Sequence, residues 1–187
     1  MRLESLMQSA KKNASQQGLP PVEQWNPQNC ANMDLRILRD GTWLHDAKPI
    51  VRHELVKLFS TILRKDADGT TWLVTPVEKV RVKVDTAHFV AVAVDRDESS
   101  VNPELFFTTN VGDVVRLDKD HPLQVGTKAQ TEEPEPLIRV RGRLEALLSR
   151  PVFYQLVAWA EEKDQQLGVY SGRDFFALGP KGAHLID

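Results

Sequence analysis

The 187-residue chain has a single cysteine, Cys30, so no disulfide can form within it, and a reducing, cytoplasmic setting is the simplest expectation. No run approaches the roughly 18 apolar residues that cross a bilayer, and the first residues hold no apolar core of signal-peptide length. An excess of one charge is missing too, because 24 Lys and Arg face 26 Asp and Glu for a formal charge of -2. Residues 1–95 carry 13 basic and 11 acidic side chains, and residues 96–187 carry 11 and 15. Neither half is therefore a basic nucleic-acid module. Aromatics make up only 7% of the chain, yet 41% of residues are hydrophobic and 27% charged, the balance of a folding globular protein. The length suits one ordinary domain or two small subdomains.

Recognisable enzyme motifs are also missing. His53 and Glu54 would open a zinc-protease helix, but position 57 is Lys. Asp66, Ala67, Asp68 and Gly69 imitate part of a calcium loop, but its first and twelfth ligand positions would be Arg64 and Thr75. No serine stands in a Gly-x-Ser-x-Gly elbow, and Gly126, Thr127 and Lys128 lack the order of a phosphate loop. The histidines, His45, His53, His88, His121 and His184, have no metal-site spacing. No metal, no cofactor and no catalysis are expected.

What is present is a mixture of helical and strand periodicities. Leu3, Leu6, Met7 and Ala10 predict an amphipathic helix over about residues 2–15. An extended arm follows, anchored by Trp25 ahead of Pro27. Asp40 and Gly41 predict a hairpin turn, and apolar steps of three and four predict a helix over 49–64. Strands are expected at 70–75, 77–84, 89–94, 104–109, 114–117 and 137–144, with a second helix over about 151–163 and short strands at 169–170 and 175–178. The polar stretch 126–136 reads as a mobile loop. The fold class expected is α+β with mostly antiparallel sheet, divided into an N-terminal helix and arm (1–33), a first subdomain (34–95) and a second (96–187).

An internal echo supports that division. Gly41, Pro49, a helix, Lys65, Asp66 and Trp72 correspond in order to Gly142, Pro151, a helix, Lys163, Asp164 and Tyr170. The offset falls from 102 to 98 across the helix, about one helical turn. Duplication and chance likeness between two strand-helix-strand units both fit.

Arg139, Arg141 and Arg143 alternate with Ile138, Val140 and Gly142, so one strand would present three guanidinium groups on one face. Lys79, Arg81 and Lys83 repeat the arrangement among valines. Lining one cleft, the two strands would suit a small phosphorylated ligand. Otherwise they are solvated sheet faces, with Glu78, Asp85 and Glu145 forming surface ion pairs worth about 0–1 kcal/mol each.

The ordered segments WNP, DLRILRDGTW, PIVRHELVKLFSTILRKDADG, LVTPVEKVRV, FFTTNVGD and HPL resemble the bacterial proteins grouped as domain-of-unknown-function family 1285. The resemblance runs from Trp25 to about Leu178 and includes Trp25, Arg36, Asp40, Gly41, Trp43, Pro49, Arg52, Asp68, Thr75, Pro76, Glu78, Lys79, Asn110, His121 and Pro122. It implies two related α+β subdomains with one main helix each, the C-terminal one superficially pleckstrin-homology-like. It further implies a nucleotide-like ligand at the subdomain interface and a signalling role without established catalysis. Thr86, Ala87, His88, Phe89 depart from the family's acidic-Ala-Pro-Phe segment.

The family brings no active-site residues to transfer. The candidate ligand site is therefore a physical choice of turn, strand and helix positions: Arg52, Thr75, Glu78, Lys79, Arg81, Asn110, His121, Arg139, Arg141 and Arg143. The functional expectation is a cytoplasmic sensor or binding module for a small anionic ligand, with a possible signalling partner and neither nucleic acid nor membrane as partner. The alternatives are a protein-interaction module and a hydrolase of a phosphorylated metabolite using His121 and Glu78.

Overall fold

Strand periodicity dominates the observed architecture. The computed structural model describes residues 3–13, 18–127 and 133–182, and these divide into two compact units. One covers residues 1–88 and takes in Gly142–Leu144; the other covers Phe89–Arg141 and Glu145–Asp187.

The first unit contains α1 (Leu3–Asn13), β1 (Cys30–Ile37), β2 (Trp43–His45), β3 (Lys48–Pro49), α2 (His53–Thr61), β4 (Leu63–Lys65), β5 (Thr71–Val74) and β6 (Lys79–Val84). Its sheet has the order β3-β2-β1-β6-β5-β4. Leu35 and Ile37 of β1, Leu73 of β5 and Val80 and Val82 of β6 are buried, as alternation demands. Leu55, Val56 and Phe59 from α2 join them, with the Phe59 ring 6.2 Å from that of Trp43. Leu6 and Ala10 are fully buried on α1, which packs on α2.

The second unit contains β7 (Phe89–Asp97), β8 (Glu104–Thr109), β9 (Val114–Arg116), β10 (Leu123–Thr127), β11 (Pro134–Arg141), β12 (Leu144–Leu148), α3 (Arg150–Ala158), β13 (Glu161–Lys163), β14 (Gln166–Ser171) and β15 (Asp174–Pro180). Six strands form a sheet ordered β10-β11-β12-β7-β8-β9, and the last three form their own antiparallel sheet. Phe89, Leu105, Phe107, Ile138, Leu156 and Val169 are buried here, and burying each such side chain contributes about 1.5–3 kcal/mol.

The strands of the described residues come in five successive runs of three, and three of the four steps from one run to the next follow one rule, the exception being the second to the third, whose strands β4 and β9 are edges of different sheets. The first strand of a run lies beside the last strand of the next: β1 beside β6, β7 beside β12 and β15 against β10. The first two joins are parallel, so each six-stranded sheet is mixed, although the other pairings are antiparallel, as expected from sequence. Helices α2 and α3 are each followed by a three-stranded antiparallel run, the part of the internal echo visible in the backbone.

Helices α2 and α3 are shorter than the apolar spacing predicts. Pro49 pairs with Leu44 in β3, Ile50 donates its N–H to the Trp43 carbonyl, and Arg52 is still extended. At the other end the Ser60 and Thr61 hydroxyls donate to the Lys57 and Leu58 carbonyls, a pattern that competes with continuing the helix. Leu63 then enters β4, where burial mimics helical periodicity. In α3 the N–H of Trp159 closes the last turn, and Glu161–Lys163 is strand rather than helix. Strand β7 runs through the boundary expected after residue 95, and the units part at His88 and Phe89. Within 126–136, expected as a loop, Gly126 and Thr127 end β10 and Pro134 begins β11, while 128–132 lie outside the described residues, as does His184. Among the described residues no helix is long and apolar enough to cross a membrane.

Candidate functional site

In the first unit, the residues singled out from sequence divide between turn clamps and a charged sheet face. Thr75 is fully buried, and its hydroxyl donates to the Glu78 carbonyl at 2.9 Å while accepting the Glu78 N–H at 3.2 Å. Thr75 and Glu78 thus close the turn between β5 and β6. Arg52 is the exposed residue ahead of α2, and its carbonyl accepts the N–H groups of Leu55 and Val56. Lys79, Arg81 and Lys83 share the outward face of β6. The Lys79 ammonium lies 4.4 Å from the Trp72 ring centroid, Lys83 reaches Asp34 at 3.0 Å, and Arg81 stands across from Trp72. Asp68 is held below the ordinary carboxylate value by hydrogen bonds from Thr70, with a smaller contribution from the Arg81 charge. Neighbouring Arg36 donates to Asp85 at 2.7 Å. This face behaves as a solvated, ion-paired surface. His88 is buried, with Nε2 3.0 Å from the Thr71 hydroxyl.

In the second unit, Asn110 holds β7 through both its groups, since Oδ1 accepts the Val90 N–H and its own N–H donates to the Val90 carbonyl. His121 is tied to Asp118, whose Oδ1 accepts both the His121 backbone N–H at 2.9 Å and a contact from Nδ1 at 3.0 Å. Burial opposes ionisation of Asp118, yet the hydrogen bonds from His121 and Arg116 hold its carboxyl below the ordinary value. Arg141 donates to Asp113 at 2.6 Å and lies 5.0 Å from the Phe89 ring centroid, while Arg139 is exposed on the same face of β11. Arg143 does not complete that row: β11 ends at Arg141, and Gly142, with φ of 52°, turns the chain so that Arg143 sits in the hairpin turn. Strand β6 belongs to the first sheet and β11 to the second.

A cavity of about 330 Å³ opens in the second unit, and sequence reading missed it. Its lining includes Arg96, Arg173, Glu161, Trp159, Tyr170 and Val101. Arg96 is the last residue but one of β7, pairs with Leu105 across the sheet, and has its Nε 3.5 Å from Glu98. Arg173 occupies the turn between β14 and β15. That turn is pinned by the Gly172 N–H donating to Pro103 at 2.9 Å and by Ser171. The buried Ser171 hydroxyl donates to the Leu117 carbonyl at 2.7 Å and accepts the Leu105 N–H at 3.1 Å. Trp159 caps the C-terminus of α3. Tyr170 meets Phe175 edge-on at 5.2 Å, with the Lys163 ammonium 5.6 Å from its ring. The lining holds two guanidinium groups and one carboxylate among rings and aliphatic side chains, and with Arg96 also reaching Glu98 outside the lining, Arg173 is the cation that makes this a place for a small anion with an apolar part. Among the described residues no three potential metal ligands converge. The cavity residues lie far apart in sequence, on β7, α3, β13 and the turn after β14, so no local spacing announces them.

Comparison with known proteins adds kinship without activity. The family model described as "Domain of unknown function (DUF1285), N-terminal domain" matches residues 20–87, and "Protein of unknown function (DUF1285), C-terminal domain" matches 88–178. No curated protein matches the chain. A crystal structure of a DUF1285 family protein from Silicibacter pomeroyi DSS-3 is similar over 94% of each chain, with 40% identity and a TM-score of 0.85. One from Shewanella baltica OS155 covers 66% of this chain and 90% of its own, with 25% identity and a TM-score of 0.53. Both family models in succession, with 40% identity along almost the full length of a solved member, establish that the chain belongs to the DUF1285 family.

Proposed function

We propose that this protein is a non-catalytic binding module that takes a small anionic ligand in the cavity of its second unit and serves a signalling role. The observation that carries the reading is the pairing of Arg96 and Arg173 in one cavity of a chain whose net charge is -2. Local concentration of cations in an otherwise acidic protein favours an anion at that place. Most of the residues chosen from sequence already have structural bonds, as Thr75, Asn110 and Arg141 show. Arg173 has no hydrogen bond or ion pair among the described residues, which leaves its guanidinium available for bidentate contact.

The rule that joins the strand runs supports a further part of the proposal, that the chain grew by duplication of helix-linked runs. The pleckstrin-homology-like reading of the second unit draws support from a helix, α3, packed against β7 and β14 of antiparallel runs. Such a likeness would not by itself imply a lipid ligand. The exposed thiol of Cys30 suits a reducing, cytoplasmic setting.

The test is titration of the purified protein with inorganic phosphate and acetate, read by calorimetry and thermal shift. Binding that falls at least about tenfold in Arg173→Ala, and stays within about threefold in Arg81→Ala, supports the reading. Equal loss in both variants, or no binding of either anion by the wild type at millimolar concentration, sinks it.

A further inference from the structure

We infer that the occupant of this cavity is an aromatic anion, an aryl phosphate or aryl carboxylate, with its charged group on Arg173 and Arg96 and its ring beside Trp159. The inference rests on the proposed function and narrows it. A bare phosphate or carboxylate would satisfy the guanidinium groups but leave the rest of the wall unused. That wall holds the half-buried Trp159 indole and the buried side chains of Leu105 and Val169. Val101, 97% exposed on the loop between β7 and β8, adds an apolar lip to the same opening. Leaving such surface against water forgoes the apolar burial that a ring would supply.

The mounting of each group favours recognition of a flat ligand. The main chain at Trp159 is fixed, because its backbone N–H donates to the Gln155 and Leu156 carbonyls at the last turn of α3. Arg173 projects from a turn pinned to Pro103, Leu117 and Leu105 through Gly172 and Ser171. Tyr170 already has ring and cation contacts with Phe175 and Lys163, whereas Trp159 has none among the described residues, which leaves the Trp159 indole for a ligand. At about 330 Å³ the cavity lies near the lower end of the range for small-molecule pockets, about 300–1,000 Å³, which suits a single aromatic ring with its acid group better than a folded peptide segment. Glu161 on the opposite charge balance leaves a net of one positive charge among the lining residues named, and it would accept a donor on the ligand.

The full-length protein is titrated with two matched pairs, phenyl phosphate against inorganic phosphate and benzoate against acetate. At least one pair should show the aryl anion binding about tenfold tighter or more. Trp159→Leu should remove that preference while leaving binding of the bare anion within about threefold, and Arg173→Gln should weaken both members of the pair. Should Trp159→Leu fail to fold, the Trp159→Phe protein identifies the Trp159 indole N–H signal by its absence from the nitrogen-proton spectrum. That signal should move with the aryl anion and stay still with the bare one. Equal affinity within both pairs, or an indole signal that ignores the aryl ligand, overturns this inference and leaves the anion-binding reading standing. Failure of every anion to bind overturns both.

Discussion

Arg64 shows what a buried cation does when the chain supplies enough acceptors. Only 6% exposed on β4, it donates from Nε to Asp66 at 2.7 Å and from Nη1 to the carbonyls of Val22 at 2.8 Å and Trp25 at 2.6 Å. The arm that precedes β1 is therefore fastened by its backbone, and Trp25, expected as the anchor, is half-buried and holds through its carbonyl. Arg64→Met should cost about 2–4 kcal/mol, because it strands a carboxylate and two carbonyls. Urea unfolding reads the loss, and Arg64→Lys should not restore it, since an ammonium cannot span the same fork. Asp118 makes a prediction that depends on pH. Its folded carboxyl ionises below the unfolded value, so its stabilisation is complete above the unfolded value near ~4 and disappears as pH falls through the folded one. Asp118→Asn should lower stability at neutral pH by about 1–2 kcal/mol and converge with the wild type as pH falls through the folded value of Asp118. Two stability curves that stay parallel across that range would refute the assignment. Thr75 and Asn110 looked like site residues for the same reason that they serve as clamps: polar side chains at turns bond either a ligand or the backbone, and sequence shows neither partner.

At the scale of elements, strands rich in β-branched or aromatic residues were legible, as the alternating valines of β6 and the Phe-Phe-Thr-Thr run of β8 show. Strands without that signal were not. Glu161–Lys163 is exposed throughout and pairs as an edge strand, and no periodicity marks an all-polar edge. The hairpins at Asp46-Ala47 and Asp164-Gln165 were equally silent, because all four residues adopt positive φ, from 48° to 65°, where glycine or asparagine would have advertised the turn. Gly168 is the reverse case, a glycine whose reason appears only in three dimensions. It sits at the register shift between β14 and β15, where a Cβ would meet the Phe176 carbonyl oxygen and, at 2.5 Å, the Phe175 ring. Gly168→Ala should destabilise the protein by about 1–3 kcal/mol or more, since backbone must move to admit one methyl group. Gly126→Ala on β10, where the nearest atom is 4.0 Å away, should stay within about 0.5 kcal/mol. Comparable losses in the two variants, measured by chemical denaturation, would show that close approach is not what requires the glycine.

Across the whole molecule, the rule joining successive runs ties together strands that are remote in sequence. Within a run, each hairpin closes a short loop, but β1 meets β6 and β7 meets β12 across all the strands that lie between them in sequence. Such joins carry the larger closure entropy and place their strands at the centre of each sheet, away from both edges. The sequence echo between Trp72 and Tyr170 could not convey this. It aligns a strand of the first six-stranded sheet with one of the separate three-stranded sheet. Native-state hydrogen exchange distinguishes the rule from a plain list of sheets. The amides of β1, β6, β7 and β12 should exchange only through global opening, and the edge strands β4 and β9 through local opening. Strand β10 is the discriminating element, because it ends its own sheet yet has β15 packed beside it. Residues 123–127 should therefore be protected more than about tenfold over residues 114–116, a difference of about 1.4 kcal/mol in opening free energy. Equal exchange in β9 and β10 would mean that β15 leaves β10 an ordinary edge, and the third join would have to be withdrawn.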